Sequence, residues 1–592
     1  MTGGNDESLF LGLDASTQAL KASLVDSLLV VVDEVEVRFD SDLPHYHTRG
    51  GTLPSEAADG QVHSPVAMLV EAFDVLFDRI KQASWPVHRI VSISAAGQQH
   101  ASVYWSRSAI QALASANDPS KKLSEQITAT AFSRQTVPSW QDSSTLAECE
   151  ALEAQFPGGA QGLIHATGSK AHARFTGPQI MRFRRLNPRA YEETSRISLV
   201  SSFVTTLLCL DGEVKPVDES DACGMNMWDI PSQQWSQDAL SIISAGQPAE
   251  LESKLGFVEL DAARPVGKIS RWLQLRYGFD QSCIVCSATG DNPATFLSFT
   301  LNQAEALVSL GTSDTLLVST NQYCPHGEYH AFTHPAQSPG RERRYFNMLV
   351  YKNGSLAREY VRDRHYQSSW DEFNQSIIAQ CSRKGDVTRT GFWWLKPEII
   401  PANARGTYKF ESTTSSPISQ SLVDEFTNES ANALAMLESQ FSSFRVRSSS
   451  ILSSSDTSGQ EESEGGARLK RVYASGGASK NLTLLSVLAN VMGCEIVKPS
   501  TSGSGREANA CSVGAAYKAA WAHARNRDGG DVAFDDFVNA LRSKRSDGEH
   551  HFVVVATPDR VTTKRLGYDE ERFKQWRSFE AEALALSASS GC

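Results

Sequence analysis

Two distant stretches of the chain repeat one pattern of residues. Residues 9–18 and 21–26 form two short apolar runs around a turn of small polar residues, and residues 307–313 and 315–320 do the same. This order predicts a β-hairpin. A turn of hydroxyl residues leaves backbone N–H groups free to surround a polyphosphate, and an aspartate at its edge can hold a hydrated Mg²⁺. Two such hairpins suggest a nucleotide clamped between two related lobes. The residues expected at the phosphates are Asp14, Ser16, Thr17, Gln18, Gly311, Thr312 and Ser313, with Asp14 also at the metal.

The length of 592 residues is too great for a single hydrophobic core. Short apolar strands alternate with an amphipathic helix at residues 66–82, which predicts mixed sheets with helical crossovers. We predict an N-terminal lobe over residues 1–265 and a C-terminal lobe over residues 266–592. Residues 442–466 are rich in serine and too poor in apolar surface to order themselves, so we expect a flexible surface insertion there.

Charge and hydropathy restrict the partners that the chain can have. The formal net charge of -12 argues against nucleic acid, whose binding depends on clustered Lys and Arg. No apolar run approaches the roughly 18 residues that a membrane span needs. The acidic residues 1–7 lack the features of a signal peptide, and the cysteines are scattered, so we expect a cytoplasmic protein. Cys283 and Cys286 lie in a predicted strand, where their side chains would point to opposite faces, which argues against a metal site.

Polar residues follow two predicted strands. His100 ends the segment Gly97-Gln98-Gln99-His100, at the kind of strand end where open α/β sheets bind ligands. A histidine there is either a structural hydrogen-bonding group or a sugar contact, and the neighbouring glutamines suit a polyol. Arg174 is either a solvated loop cation or a ligand contact.

The turn Gly290-Asp291-Asn292-Pro293 predicts the start of a helix, with Asn292 as its N-cap. Asp291 would then lie at the positive end of the helix, which favours the ionised carboxylate. Two interpretations stay open for Asp291. It is either ordinary turn chemistry or the general base that accepts a proton from an attacking sugar hydroxyl.

A third turn joins a predicted strand at residues 471–475 to a predicted helix at residues 481–492. Gly476 and Gly477 in this turn would let a flat ring approach the backbone and leave helix N–H groups free. The alternative is a tight structural turn without a ligand.

Taken together, these segments resemble the FGGY family of carbohydrate kinases, most closely the fungal-type enzymes that act on D-xylulose. The matching segments occur in the family's order and reach from residue 9 to about residue 520. They are residues 13–18, 97–100, 140–145, 174–179, 218–225, 290–293, 309–315 and 474–481. One departure is Ala101, where the family usually has glycine after the Gly-Gln-Gln-His segment.

The resemblance implies an α/β protein with the two-lobed actin-like ATPase fold, which is ribonuclease H-like, with a mixed sheet flanked by helices in each lobe and a cleft between them. It implies ATP-dependent phosphorylation of D-xylulose with Mg²⁺, by a monomer or homodimer. Kinases of ribulose, gluconate or glycerol, and a non-catalytic ATPase or sugar sensor, remain alternatives. The implied ketose contacts are His100, Arg174, Asp291 as the base, and Asn292; the implied adenosine contacts are Trp370, Gly476, Gly477 and Asn481.

Overall fold

The computed structural model describes most of the chain. The described residues are 8–54, 59–382, 387–413, 421–453, 468–499, 508–544 and 552–589. They form two large mixed sheets, several small sheets and the helices that pack on them. None of the helices in these ranges is both long enough and apolar enough to cross a membrane.

The strands up to residue 290 include those of the first large sheet. They are β1 (Leu9–Ala15), β2 (Ala19–Val25), β3 (Val31–Arg38), β4 (His63–Pro65), β5 (Ile90–Gly97), β6 (Ser102–Ser106), β7 (Thr136–Pro138), β8 (Thr194–Leu199), β9 (Val217–Asp218), β10 (Trp228–Asp229), β11 (Gln234–Trp235), β12 (Val258–Glu259), β13 (Pro265–Lys268), β14 (Ile284–Cys286) and β15 (Thr289–Gly290).

The remaining strands include those of the second large sheet. They are β16 (Glu305–Leu310), β17 (Asp314–Thr320), β18 (His330–Thr333), β19 (Tyr345–Tyr351), β20 (Val387–Trp394), β21 (Gly406–Thr413), β22 (Ser421–Val423), β23 (Arg471–Ser475), β24 (Glu495–Pro499) and β25 (Phe552–Ala556).

The two large sheets repeat one topology. The first has the order β13-β14-β5-β1-β2-β3, with β15 also paired to β5, and the second has the order β18-β19-β17-β16-β23-β24-β25. In both, the predicted hairpin is antiparallel (β1 with β2, β16 with β17), and its first strand pairs in parallel with the next strand inward (β5 or β23). The duplicated hairpins are therefore the equivalent central elements of two related lobes, which confirms the predicted two-lobed α/β fold.

The division between the lobes differs from the expected one near residue 266. Strands β13, β14 and β15 all belong to the first sheet, because β14 and β15 pair in parallel with β5 and β13 pairs with β14. The second sheet begins only with β16. These late strands are short, and their partner β5 lies far back in the chain, so the local sequence did not reveal which sheet they join.

The helices flank both sheets. In the first half they are α1 (Phe39–Asp42), α2 (Val66–Gln82), α3 (Ala109–Ser115), α4 (Leu123–Gln126), α5 (Leu146–Gln155), α6 (Gly159–Thr167), α7 (Thr176–Leu186), α8 (Pro188–Glu192), α9 (Val200–Cys209), α10 (Glu219–Ala222), α11 (Gln237–Ser244), α12 (Pro248–Leu255) and α13 (Arg271–Tyr277). In the second half they are α14 (Asp291–Phe299), α15 (Gly354–His365), α16 (Trp370–Ser382), α17 (Asn432–Ser453), α18 (Leu482–Met492), α19 (Ala510–Asp528), α20 (Phe534–Arg542), α21 (Arg560–Leu566) and α22 (Glu570–Ser589).

Helix α19 comes from the C-terminal part of the chain but packs on the first lobe. It lies against β1, β5 and α14. The approach to β1 is so close that a Cβ added to Gly12 would lie 1.8 Å from the Ser512 backbone oxygen. A Cβ on Gly514 would lie equally close to the backbone oxygen of Ala294 in α14. Both positions therefore require glycine, since the contacts are with backbone that cannot turn aside.

The serine-rich segment is ordered over its first part. Its residues up to Ser453 continue helix α17. Arg445 and Arg447 are buried there: Arg445 donates to the backbone oxygen of Met492, and Arg447 pairs with Glu328 and Glu580. The expectation of a flexible insertion is therefore wrong for residues 442–453, because distant partners stabilise a helix that composition alone disfavours. Residues 454–466 lie outside the described residues.

Candidate active site

The first hairpin places Asp14 at the end of β1, buried beside the turn. Its Oδ2 accepts hydrogen bonds from Ser16 Oγ at 2.8 Å and Lys21 Nζ at 3.5 Å. Its Oδ1 is buried and has no hydrogen-bond partner among the described residues. Burial raises the pKa of the carboxyl above its usual value, and Lys21 and Ser16 oppose this rise. An unpartnered carboxylate oxygen next to a hydroxyl-rich turn fits a divalent cation.

The rest of this turn is partly open. Gln18 has an exposed side chain, while Thr17 is half-buried. Thr17 Oγ1 accepts a hydrogen bond from Trp140 Nε1 at 2.9 Å, although the Trp140 side chain is 47% exposed. This contact was not predictable, because Thr17 and Trp140 are far apart in the chain and no local pattern links them.

The second hairpin is held by a buried ion pair. Asp314 and Arg358 are joined by two hydrogen bonds of 2.8 Å and are both buried. Asp314 Oδ1 also accepts from the Gly311 N–H at 3.2 Å, and Arg358 donates to the Gly311 oxygen at 3.3 Å. The Gly311 N–H is therefore bonded within the hairpin, whereas Thr312 and Ser313 are exposed. The phosphate contacts of Gly311, Thr312 and Ser313 stay predictions.

Asp291 is the first residue of α14, and the residue that precedes the helix is Gly290 rather than the expected Asn292. Asn292 instead supports Asp291: its backbone N–H and Nδ2 donate to Asp291 Oδ1 at 2.8 and 3.1 Å. Asn292 Nδ2 also donates to Gln99 Oε1 at 2.8 Å. These bonds join the start of α14 to the end of β5.

The ionisation of Asp291 differs from the expectation. Burial, followed by the charge of Asp14, raises the pKa of Asp291 to about 7, against the hydrogen bonds from Asn292 and Gln99. The helix terminus alone would favour the ionised form. Burial and the second carboxylate outweigh that effect, and a pKa near neutrality suits a general base.

His100 follows the end of β5, the strand that also leads to Gln99. Its side chain is buried, and its backbone has a positive φ of 70°. Its Nδ1 is 2.8 Å from the Gly224 oxygen, and its ring stacks on Phe175 at a centroid distance of 4.2 Å. Burial, then the charges of Arg174 and His330, hold the pKa of His100 well below its usual value. The ring is therefore neutral, and because a carbonyl can only accept, Nδ1 carries the proton and Nε2 is left as an acceptor.

Arg174 is half-buried, and its guanidinium lies 5.5 Å from the centre of the Phe175 ring. In the part of the chain that the structure describes, no carboxylate lies within 4.0 Å of it. Burial lowers the pKa of Arg174 to about 10, so the group stays protonated at neutral pH. A charged donor without an acidic partner beside His100 is suited to a ligand oxygen.

The turn after β23 has the open backbone expected of an adenosine contact. Gly476 has a φ of 84°, and an added Cβ would lie 2.6 Å from the Leu310 oxygen, so this position requires glycine. At Gly477 an added Cβ would meet no described atom within 4 Å. Asn481 has a structural role as the N-cap of α18, since its Oδ1 accepts from the Leu484 N–H.

Trp370 is connected to this turn through helix α16. The Nδ2 of Asn481 donates to Asn374 Oδ1 at 2.9 Å, and Trp370 lies one helical turn before Asn374. The Trp370 side chain is 37% exposed, and the guanidinium of Arg362 lies 4.6 Å from its ring centre. The structure thus brings Trp370 to the same side of the second lobe as the glycine turn.

Two comparisons of sequence agree on the family. Residues 134–298 match the FGGY family of carbohydrate kinases, N-terminal domain, and residues 306–523 match its C-terminal domain. The chain is 41% identical over 545 residues to a xylulose kinase of Schizosaccharomyces pombe, covering 90% of this chain and 92% of that one. It is 40% identical over 529 residues to a probable D-xylulose kinase A of Neosartorya fischeri, covering 87% of this chain and 88% of the relative. The chain belongs to the FGGY family of carbohydrate kinases.

Solved structures of FGGY kinases share the fold. A xyloylose kinase from Brucella ovis superposes with a TM-score of 0.70 at 19% identity, covering 98% of this chain and all of that one. A gluconate kinase from Lactobacillus acidophilus also gives 0.70, at 16% identity and 99% coverage of both chains. The two family matches meet between residues 298 and 306, the same region in which the structure passes from the first sheet to the second.

Behind Asp291, this FGGY kinase has a buried charged network that the sequence did not reveal. Lys518 of α19 donates to Asp218 Oδ2 at 2.8 Å, and both side chains are almost fully buried. Asp218 Oδ1 accepts from the Asp221 N–H and from Thr289 Oγ1. Burial, then the charge of Asp218, raises the pKa of Asp221 well above its usual value. The network joins α10, β15 and α19 directly behind the start of α14.

The pKa of Asp291 predicts the pH dependence of this sugar kinase. Only the ionised carboxylate can accept a proton, so kcat/KM should fall about tenfold per pH unit below about pH 7 and level off above it. The measurement is a pH profile of kcat/KM, with the enzyme shown to keep its activity when returned to neutral pH. A kcat/KM that stays constant from about pH 5.5 to 8 would contradict the role of Asp291 as a base with a raised pKa.

Proposed function

We propose that this FGGY kinase transfers the γ-phosphoryl group of ATP to the 5-hydroxyl of D-xylulose, with Mg²⁺, as a step of xylose and pentose catabolism. The observation that carries the proposal is Asp291, which begins α14 and accepts two hydrogen bonds from Asn292. Burial and then the charge of Asp14 raise the pKa of its carboxyl to about 7. About two fifths of the aligned residues are identical to those of the two fungal relatives named as xylulose kinases, which supports the choice of sugar.

The residues around the proposed phosphate site supply positioning and charge stabilisation. Asp14 would hold Mg²⁺ through its unpartnered Oδ1. When bound, Mg²⁺ neutralises charge on the β- and γ-phosphates. Thr312 and Ser313 of the second hairpin, and Ser16 and Thr17 of the first, would present hydroxyl and backbone donors. Such groups stabilise a transition state best when they are fixed in advance, as the Asp314–Arg358 pair fixes the second turn.

The residues around the proposed sugar site hold the nucleophile and take its proton. His100 offers a neutral acceptor, Arg174 a charged donor, and Asn292 keeps Asp291 in place through two hydrogen bonds. Asp291 accepts the proton of the 5-hydroxyl as its oxygen attacks the phosphoryl group. Alignment of the two substrates then supplies most of the rate enhancement, because little covalent chemistry is required of the protein.

Other FGGY substrates are the alternatives. The fold does not separate them, since the gluconate kinase and the xyloylose kinase superpose equally well. The kcat/KM values for ribulose, gluconate and glycerol therefore have to be compared directly with the value for D-xylulose. A non-catalytic ATPase or sugar sensor would need no base, whereas this chain has Asp291 at the start of α14 with a pKa near neutrality.

The test is a coupled ADP-release assay with D-xylulose, D-ribulose, L-ribulose, gluconate and glycerol. We expect D-xylulose to give the highest kcat/KM, and the product to carry its phosphate on the 5-oxygen. A higher value with another sugar would overturn the choice of substrate. If none of the sugars stimulates ADP release, the proposed activity itself fails. The cytoplasmic location and the monomeric or homodimeric state stay predictions.

A further inference from the structure

His330 reaches the proposed sugar site from the second lobe. It begins β18, the edge strand of the second sheet, whereas His100, Arg174 and Asp291 come from segments before β16. Its ring centre lies 4.9 Å from that of Phe175 and 6.4 Å from that of His100, with an angle of 24° between the two imidazole planes. The side chain is 3% exposed. The second lobe therefore contributes an imidazole to the group around Phe175.

His330 and His100 are anchored in the same way. His330 Nε2 is 2.9 Å from the Cys223 oxygen, and His100 Nδ1 is 2.8 Å from the oxygen of the next residue, Gly224. Each of these nitrogens carries a proton, because a carbonyl can only accept. Burial lowers the pKa of His330 to about 3, so its ring is neutral at physiological pH. The second nitrogen, Nδ1, is therefore an acceptor with a free lone pair.

This acceptor has no partner among the residues that the structure describes. His330 Nδ1 is buried and makes no hydrogen bond to any described residue. Buried polar atoms nearly always have a partner, so an exception at a binding site points to a ligand group. Arg174 lies near enough for its charge to act on His330, and it is a donor without an acidic partner among the described residues. A hydroxyl can satisfy both groups, because it accepts from the guanidinium and donates to the imidazole.

We propose that His330 is a further sugar-binding residue, whose Nδ1 accepts a hydrogen bond from a hydroxyl of the ketose. This inference rests on the proposed function and adds a contact from the second lobe to a site otherwise built from the first. The sugar then contacts both lobes, since His330 belongs to β18 of the second sheet while His100 and Arg174 belong to segments before β16. The competing interpretation is that the ring only supports Phe175.

The test compares D-xylulose with its monodeoxy analogues in the wild-type enzyme and in His330→Phe, which keeps a flat ring but has no nitrogen. For each protein, the loss is the drop in kcat/KM from D-xylulose to an analogue. For one analogue this loss should be about tenfold larger in the wild type than in His330→Phe, because the missing hydroxyl leaves Nδ1 unpaired only in the wild type. The KM for D-xylulose should rise about tenfold in the variant while the KM for ATP stays unchanged.

His334→Phe is the matched control. His334 is a buried histidine near the end of the same strand, but its ring nitrogens bond to Arg344 and to the Ala336 N–H, and its ring packs on Phe296. This variant is expected to lower stability without changing the KM for the ketose. His330→Asn, which keeps a donor and an acceptor, should restore part of the discrimination that His330→Phe loses. His330→Leu, which has neither, replaces His330→Phe if the latter does not fold.

The outcomes separate the two proposals. Equal losses for every analogue in wild type and in His330→Phe would overturn the role of His330 and leave it a support for Phe175. If the wild type prefers another sugar, only the choice of D-xylulose fails, and the same comparison is made with deoxy forms of that sugar. If no sugar is phosphorylated, both proposals fall.

Discussion

The Asp291→Asn variant is expected to lower kcat about 10³-fold with D-xylulose, within the range that a general base contributes. Asparagine fills the same space and can still contact Asn292, but it cannot accept the proton of the attacking hydroxyl. The KM values for sugar and ATP should change little, because the positions of His100, Arg174 and the phosphate turns do not depend on the charge of Asp291. Steady-state kinetics above about pH 7.5 measure the effect with the wild-type base ionised.

An exposed aspartate provides the control for this variant. Asp280 lies on the surface, where its carboxylate bonds only to Ser282 of the same turn among the described residues. Asp280→Asn should therefore turn over at the wild-type rate. A loss of less than about tenfold in Asp291→Asn, with folding and nucleotide binding intact, would contradict the role of Asp291 as the base.

A second large effect is expected on stability. Lys518→Met removes one partner of the buried pair with Asp218 and leaves that carboxylate away from water. Removing one member of a buried ion pair typically costs about 3–5 kcal/mol, and we expect a loss of this size in the free energy of unfolding. Urea unfolding followed by circular dichroism measures it.

The double variant Lys518→Met/Asp218→Asn separates the charge from the packing. Replacing Asp218 as well removes the unpaired charge, so the double variant should recover most of the stability lost in Lys518→Met. The amide oxygen of the introduced asparagine would still accept hydrogen bonds from Thr289 and the Asp221 N–H. A loss of under about 1 kcal/mol in the single variant would show that the pair is not the main support of this region.

The local elements of the fold were predictable from the sequence. The two hairpins follow from short apolar runs around turns of small residues, and the helix α2 was expected at residues 66–82, where the structure has Val66–Gln82. The glycine turn after β23 was also expected, because a strand, two glycines and a helix follow one another in the chain. In each case the residues that decide the structure are neighbours in sequence.

The features that were missed depend on distant partners. Helix α17 persists through a serine-rich sequence because Arg445 and Arg447 bond to Met492, Glu328 and Glu580. The pKa of Asp291 rises because the folded chain buries it near Asp14, which no local pattern records. A lone histidine such as His330 gives no signal in the sequence, since its relation to Phe175 arises only when β18 meets the first lobe.

Helix α19 makes the first lobe incomplete without the C-terminal part of the chain. It covers β1 and β5, and its close approach depends on Gly12 of β1 and on Gly514 of the helix itself. A truncated protein ending at the junction between the two sheets would thus expose an apolar face and lack Lys518, the counter-ion of Asp218. Expressing the lobes separately should yield aggregation-prone fragments. Mixing them would restore a soluble complex only if α19 of the C-terminal fragment bound again to β1 and β5 of the N-terminal fragment. The polypeptide crosses between the lobes more than once, so synthesis must proceed past α19 before the N-terminal lobe can be completed.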